Sequence, residues 1–271
     1  MKEREIIKAL ITGATSGIGR AIAEKLAEDG VTVIALGSHD ADLRITTKPV
    51  IEAIYQHVPN LVINCAGVGS YGDVLNLSVQ EQKEIVQINA LAAMEISIEA
   101  ARFFKERGIK GTILNVSSLT GELVTPGMVA YGASKAFLTK FSQGLDFELK
   151  PHGIRVLVSC PGMVNTRFIN RSAKKEVKIY PDNLKSRNFG CVKARELSRQ
   201  PKSDFSSCLG IKRKGPVMSV ECAAKLILNQ IERKKGFRII DWRYRLLYTL
   251  FLFIPNNLLK HIFYKNIQSR L

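Results

Sequence analysis

Short, solid apolar runs alternate along this chain with longer stretches of helical period, and that alternation predicts the fold. Residues 6–11 are apolar except for Lys8 and read as a strand. The turn TGATSGIG fills 12–19. Ile22, Ala23, Leu26 and Ala27 then recur on one face of a helix over 20–28 that stops at Gly30. Residues 31–36 form a second strand. The chain then runs almost at once into Ala41-Asp42-Leu43, so a helix expected directly after that strand is missing. The pattern is helical again over 49–57, and a third strand covers 61–64. Residues 78–107 hold one or two helices containing Asn89. Then come a strand over 112–116, a long helix over 130–149 and a strand over 154–159. Strand and helix in alternation imply an α/β protein with a doubly wound parallel sheet, and 271 residues suit one large domain of that class.

On this frame, Tyr131 and Lys135 share one helix face, one turn apart. An ammonium beside a phenol favours the phenolate, so the tyrosine is expected below its ordinary value of about 10 and able to exchange a proton with a carbonyl or alcohol oxygen. Ser118 follows the fourth strand, at the carboxyl edge where open parallel sheets place their chemistry. Alone, a Tyr/Lys pair at helical spacing is usually a half-buried ring beside a solvated amine. The surrounding turns change that reading. Gly13, Gly17 and Gly19 let the backbone approach a pyrophosphate, and the following helix start stabilises its charge. At the end of the second strand stand Gly37, Ser38 and His39, with no carboxylate before Asp40. A ribose 2′-phosphate is tolerated there and Ser38 can bond it, so NADP(H) is favoured over NAD(H), although no arginine accompanies it.

These residues resemble the short-chain dehydrogenase/reductase family, continuously over 6–166 and more weakly near 217–231. TGATSGIG is similar to the family's cofactor turn, and Asn64-Cys65-Ala66-Gly67 to its Asn-Asn-Ala-Gly motif with Cys65 in place of the second Asn. Asn89, Ser118, Tyr131 and Lys135 fall where its four catalytic residues fall. Pro161-Gly162 with Thr166 resembles its cofactor-closing motif. The resemblance implies a Rossmann-like sheet and roles for each residue. Tyr131 is the acid/base, Ser118 orients the substrate oxygen, and Lys135 lowers the tyrosine pKa and binds the nicotinamide ribose. Asn89 holds a relay water. It further implies cofactor contacts from Thr12, Gly13, Thr15, Ser16, Gly17, Ile18 and Gly19. Asp42 is implied at the adenine, and Asn64, Ala66 and Gly67 along the adenosine. Pro161, Gly162, Val164 and Thr166 are implied at the carboxamide and diphosphate. Two departures stand out: the helix deleted after strand two, and about fifty residues between Thr166 and Ser219, an enlarged substrate loop over 167–217.

Composition adds a partner question. The five cysteines (65, 160, 191, 208, 222) form no C-x-x-C pair, so neither a zinc site nor a disulfide framework is expected, and reduced thiols suit the cytoplasm. The start MKEREIIKALITG is not expected to be a signal peptide. The net charge of +16 is carried by residues 171–214 and 232–271, leaving a neutral body. A basic insertion of this kind is either a solvated loop or a contact for an anionic partner. The tail over 241–271 has an apolar run at 246–254 ended by Pro255, with Trp242, Tyr244 and Tyr248 and with Lys260, Lys265 and Arg270 around it. It is too short to span a bilayer. It reads as an amphipathic segment lying on an anionic membrane, or as packing against another subunit of a homodimer or homotetramer. The function expected is reduction of a lipidic or acyl-chain ketone by a single catalytic domain over 1–240. A small soluble carbonyl substrate is the alternative, and a non-enzymatic basic binding protein the remote one. Nucleic acid is not the expected partner, because the catalytic set is intact.

Overall fold

The protein's structure is a computed structural model, and it describes residues 6–166, 168 and 217–254. The basic loop expected over 167–217, apart from Phe168 and Val217, lies outside the described residues, as do the tail beyond 254, Cys191 and Cys208. Six strands form one parallel sheet: β1 Lys8–Thr12, β2 Thr32–Leu36, β3 Leu61–Asn64, β4 Thr112–Val116, β5 Arg155–Cys160 and β6 Phe237–Ile239. Their order is β2-β1-β3-β4-β5-β6. The helices are α1 Gly17–Glu28, α2 Lys48–His57, α3 Val79–Val86, α4 Ala93–Glu106, α5 Val129–Leu149, α6 Val220–Glu232 and α7 Trp242–Leu252.

The strands read as solid apolar runs because both faces of the sheet are covered. Alternate side chains part to opposite sides. Ala9, Ile11, Leu61, Ile63, Leu114 and Leu157 pack with Ile22 and Leu26 of α1 and with Ala223, Ala224 and Ile227 of α6. Leu10, Val62, Ile113 and Val156 pack with Ile54 of α2 and with Ile96, Phe103 and Phe104 of α4.

No helix stands directly after β2, where residues 37–47 run through turns, and α2, expected over 49–57, bridges β2 and β3. What the sheet lacks is a strand outside β2: its order is the doubly wound 3-2-1-4-5-6 order without the outermost strand. β2 is therefore an edge, with Thr32 and Ala35 exposed. The short strand β6 was not expected from the sequence either.

α5 is fixed at its far end by Asp146, which accepts from Arg155 Nε at 2.8 Å and Nη2 at 2.9 Å and from the backbone of Val156 at 2.8 Å. This pair joins the helix carrying Tyr131 and Lys135 to the start of β5. Asp146→Ala is expected to destabilise the fold by about 1–3 kcal/mol, less than the roughly 3–5 of a fully buried pair because both groups keep some contact with water. Denaturant unfolding measures this, and an unchanged midpoint would show that the pair does not anchor α5.

Candidate active site

The carboxyl ends of β1, β3, β4 and β5 open onto one edge. Ser117 and Ser118 follow the end of β4, and both are buried. The Ser118 hydroxyl accepts from Thr120 Oγ1 at 2.9 Å and hydrogen-bonds the phenol of Tyr131. The loop after Ser118 lies hard against α5: a Cβ on Gly121 would stand 2.7 Å from the carbonyl carbon of Lys135. Ser117 Oγ donates to the Lys135 carbonyl at 2.9 Å and meets Thr139 Oγ1 at 2.8 Å. The first two turns of α5 are thus bolted to the end of β4 by polar contacts.

Lys135 is 4% exposed, and its Nζ donates to the carbonyl of Val116 at 2.8 Å. It lies 5.9 Å from the centre of the Tyr131 ring. Burial pushes the ammonium down to about 8. The phenol of Tyr131 is pushed the other way, up to about 12, because burial outweighs the hydrogen bond from Ser118. The tyrosine is therefore not lowered, as its spacing from Lys135 suggested. Desolvation governs both groups, being the largest cause of each shift. At neutral pH Tyr131 holds its proton and can donate it to an oxygen placed between it and Ser118.

Asn89 sits in a π-helical turn over Gln87–Ala92, between α3 and α4, with its side chain fully buried. Its amide donates to the carbonyl of Val68 at 2.8 Å and to Ser134 Oγ at 3.2 Å, and its oxygen accepts from the Val68 backbone at 2.9 Å. Both amide donors are used, so the side chain holds the loop after β3 rather than donating to a water.

The glycine turn fits a dinucleotide. Gly13 and Gly17 have φ of +68° and +57°. A Cβ at Gly13 would stand 2.7 Å from Ala66, and one at Gly19 would overlap the carbonyl of Gly13. Ser16 begins α1 without a side-chain cap, so Gly17 and Ile18 open the helix with backbone N–H groups that an anion can accept. Thr166 faces them, its methyl 3.4 Å from where a Gly17 Cβ would lie. Gly67 borders both Asn89 and the Lys135 ammonium, and its missing side chain leaves that amine open. These features together fit a pyrophosphate at α1 and a ribose beside Lys135.

Other expected contacts turn inward. Thr12 is buried, and its hydroxyl accepts from the N–H groups of Cys65 and Ala66, both at 3.3 Å, tying β1 to the loop after β3. Asn64 points its amide into the sheet interior, donating to Asn115 at 2.9 Å and Ser97 at 3.1 Å. Neither side chain faces the cleft, so both support the cofactor turn from beneath. Val164 is buried and bridges to Met218, Pro161 accepts from Leu119 N, and Gly162 lies under the Tyr244 ring.

At the opposite end, Thr15 packs its methyl on Gly37, and Ser38 is exposed just beyond. Asp40 folds back so that its carboxylate accepts from Gly37 N at 2.7 Å, which brings an acid to the strand end after all. Asp42 pairs with Arg44 at 2.6 Å, and those hydrogen bonds hold its carboxyl down at about 2. Sequence reasoning missed Asp40 as part of this end. It also missed Phe168, whose ring lies 5.4 Å from that of Tyr131. An aromatic two residues past Thr166 was the only signal for it.

The sequence profile of the short chain dehydrogenase family matches residues 8–58 and 44–177. Residues 44–58 match twice, as a chain shortened between β2 and β3 would. Among curated proteins the chain is similar to human (3R)-3-hydroxyacyl-CoA dehydrogenase, 27% identical over 62% of this chain and 77% of that protein. It is also similar to 3-oxoacyl-[acyl-carrier-protein] reductase of Aquifex aeolicus, 28% identical over 67% and 84%. Among solved structures it resembles a short-chain dehydrogenase from Sphingobium yanoikuyae in complex with NADPH, with a TM-score of 0.63 and 24% identity, covering 92% of this chain and 96% of that one.

The close approach at Gly121 makes a direct test of the seam. Gly121→Ala must push the Ser118 loop off α5, so carbonyl reduction is expected to fall by about tenfold or more while cofactor affinity holds. Steady-state kinetics beside a cofactor titration reads both, and unchanged turnover would separate the seam from the chemistry.

Proposed function

The chain belongs to the short-chain dehydrogenase family, and we propose that it reduces the ketone of an acyl-chain substrate with NADPH, Tyr131 supplying the proton. The family makes it an oxidoreductase using a nicotinamide dinucleotide. The observation that carries the finer reading is the cluster of Ser118, Tyr131 and Lys135 at the end of β4, facing the glycine turn.

When bound, the reduced nicotinamide supplies a hydride to the carbonyl carbon. The protein's own part is position and proton. Ser118 orients the carbonyl oxygen, and Tyr131 donates its proton to that oxygen as the C=O bond becomes an alcohol. At neutral pH the buried phenol holds the proton that the reduction consumes. Lys135 keeps two N–H groups beyond its bond to Val116 for the ribose hydroxyls. Asn89 acts as a positioning residue through Val68 and Ser134.

The acyl chain is supported by the rim. Exposed Val68, Val74 and Leu75 after β3 face the same edge as exposed Val124 after β4. The two loops are joined by Gly72 N to Gly127 O at 3.0 Å, with Tyr71 laid on Gly127. Phe168 adds an aromatic wall over Tyr131. The two curated relatives both carry 3-oxo or 3-hydroxy acyl names, which agrees with such a rim. A homodimer is also part of this reading: Phe137 and Phe141 stack on α5 with Phe137 exposed, and exposed Leu91 and Val86 extend the apolar face.

Tyr131→Phe is expected to lower turnover by about 10²–10⁴ while NADPH binding stays close to normal. Assayed by NADPH oxidation on a panel of 3-oxoacyl thioesters, full retained activity would refute the proton donor. For the cofactor, NADPH is expected to bind modestly tighter than NADH, because Ser38 and His39 are exposed at the end of β2 while Asp40 is engaged by Gly37 N–H. Ser38→Asp is expected to reverse the order by repelling the 2′-phosphate. Gly37 is a poorer place for that change, since a Cβ there overlaps the Thr15 methyl. Tighter NADH in the unaltered protein would mean that Asp40 reads the ribose hydroxyl.

A further inference from the structure

Helix α7 packs one side inward and leaves the other apolar in solvent. Tyr244 is 7% exposed, its ring against Gly162, and Tyr248 donates to Glu122 Oε2 at 3.4 Å. Leu247 and Phe251 are half-buried on the same side, so the inward face takes two residues that the sequence alone suggested for lipid. On the outward side Trp242 is 69% exposed, Leu246 55%, Leu250 56% and Phe253 82%. At about 100° per residue these four fall in one row along the helix. Arg243 borders the row on one flank and Arg245 on the other.

The charge beside the row is one-sided. Residues 232–254 carry six Lys/Arg (233, 234, 235, 238, 243, 245) against Glu232 and Asp241. Asp241 is taken by Arg243 at 2.6 Å. The Arg245 guanidinium donates to the carbonyl of Ile239, at 3.1 and 3.3 Å. Burial first, and then the charges of Arg245 and Arg233, hold the Arg238 guanidinium below its ordinary value. A solvent-facing apolar row of this size is unusual on a monomer, and guanidiniums on both flanks complement an anionic surface.

We propose that the outward row of α7 (Trp242, Leu246, Leu250 and Phe253, flanked by Arg243 and Arg245) docks this protein on an anionic lipid surface. The apolar row enters the boundary between headgroups and acyl chains, and the arginines meet lipid phosphates. No helix among the described residues is long and apolar enough to cross a membrane, so the contact is peripheral. The same helix rests on Gly162 after β5 and on Glu122 after Ser118. A surface that holds α7 therefore sits next to the loops forming the catalytic edge. Docking stands apart from the reaction proposed above, because its readout is not turnover.

Trp242 is the chain's only tryptophan, so its emission reports this row alone. The full-length protein is mixed with vesicles of phosphatidylglycerol and phosphatidylcholine in equal parts, or of phosphatidylcholine only. With the anionic vesicles, Trp242 emission is expected to shift to shorter wavelength and to be quenched by brominated acyl chains, and added salt should weaken both effects. Leu246→Glu with Leu250→Glu, both at exposed positions, is expected to lower vesicle partitioning at least about tenfold while reduction of a small ketone continues. Unchanged Trp242 emission with the anionic vesicles would overturn the proposal. So would equal binding by the double variant. If the double variant instead converts an oligomer to a monomer in sedimentation, and Trp242 of the unaltered protein ignores vesicles, the row belongs to a second copy and lipid docking is wrong.

Discussion

A buried ammonium sets the terms for the catalytic edge. Lys135 reaches under its own helix to the carbonyl of Val116, at the end of β4, and little water follows it. A charge placed there is costly unless it is hydrogen-bonded. The Val116 carbonyl answers it, and beside that bond runs a polar seam between β4 and α5: Ser117 to the Lys135 backbone carbonyl and to Thr139 at 2.8 Å, and Asn115 to Ser142 at 2.9 Å. The other helices meet the sheet largely through hydrocarbon, with polar ties at Ser97 of α4 and Gln230 of α6, and α5 adds a row of hydroxyls and amides. Hydrocarbon contacts tolerate sliding. A seam of directional bonds does not, and it fixes Tyr131 relative to Ser118.

The seam continues beneath the cofactor turn. Asn115 joins Asn64, and Asn64 joins Ser97, so β3, β4, α4 and α5 share one buried network. Thr12 then carries the connection from β3 to β1. Each of these residues stands one or two positions below a loop that faces the cleft. The glycine turn, the loop of Ala66 and Gly67, and the Ser118 loop are thus held at fixed heights by buried polar groups beneath them. This arrangement explains why Asn64 and Thr12 occur inside motifs that look like binding motifs.

Much of this was legible in the sequence, for physical reasons. Strands β1, β3, β4 and β5 are buried on both faces, so each is a largely apolar run, and the edge strand β2 is legible from its Val and Ile alone. Tyr131 and Lys135 share a face because α5 is a regular helix. β6 escaped because three residues beside a basic stretch carry no periodic signal. Asp40 was set aside because distance along the chain does not show that a carboxylate can fold back onto Gly37 N–H. The inward turn of Asn64 and the full engagement of the Asn89 amide depend on partners 29 to 51 and 21 to 45 residues away. The charge state was the largest misreading. Spacing shows which groups are neighbours, whereas burial decides their pKa, and burial is a property of the whole fold.

The central claim, that a desolvated lysine organises the site, is tested most directly by titrating that lysine. Protein labelled with ¹³C at lysine Cε, compared with Lys135→Met to assign the signal, lets each amine be followed with pH. Lys135 is expected to titrate near about 8, well apart from surface lysines near about 10.4, and to move when NADPH is added. A Lys135 signal that titrates with the surface lysines and ignores NADPH would contradict the account.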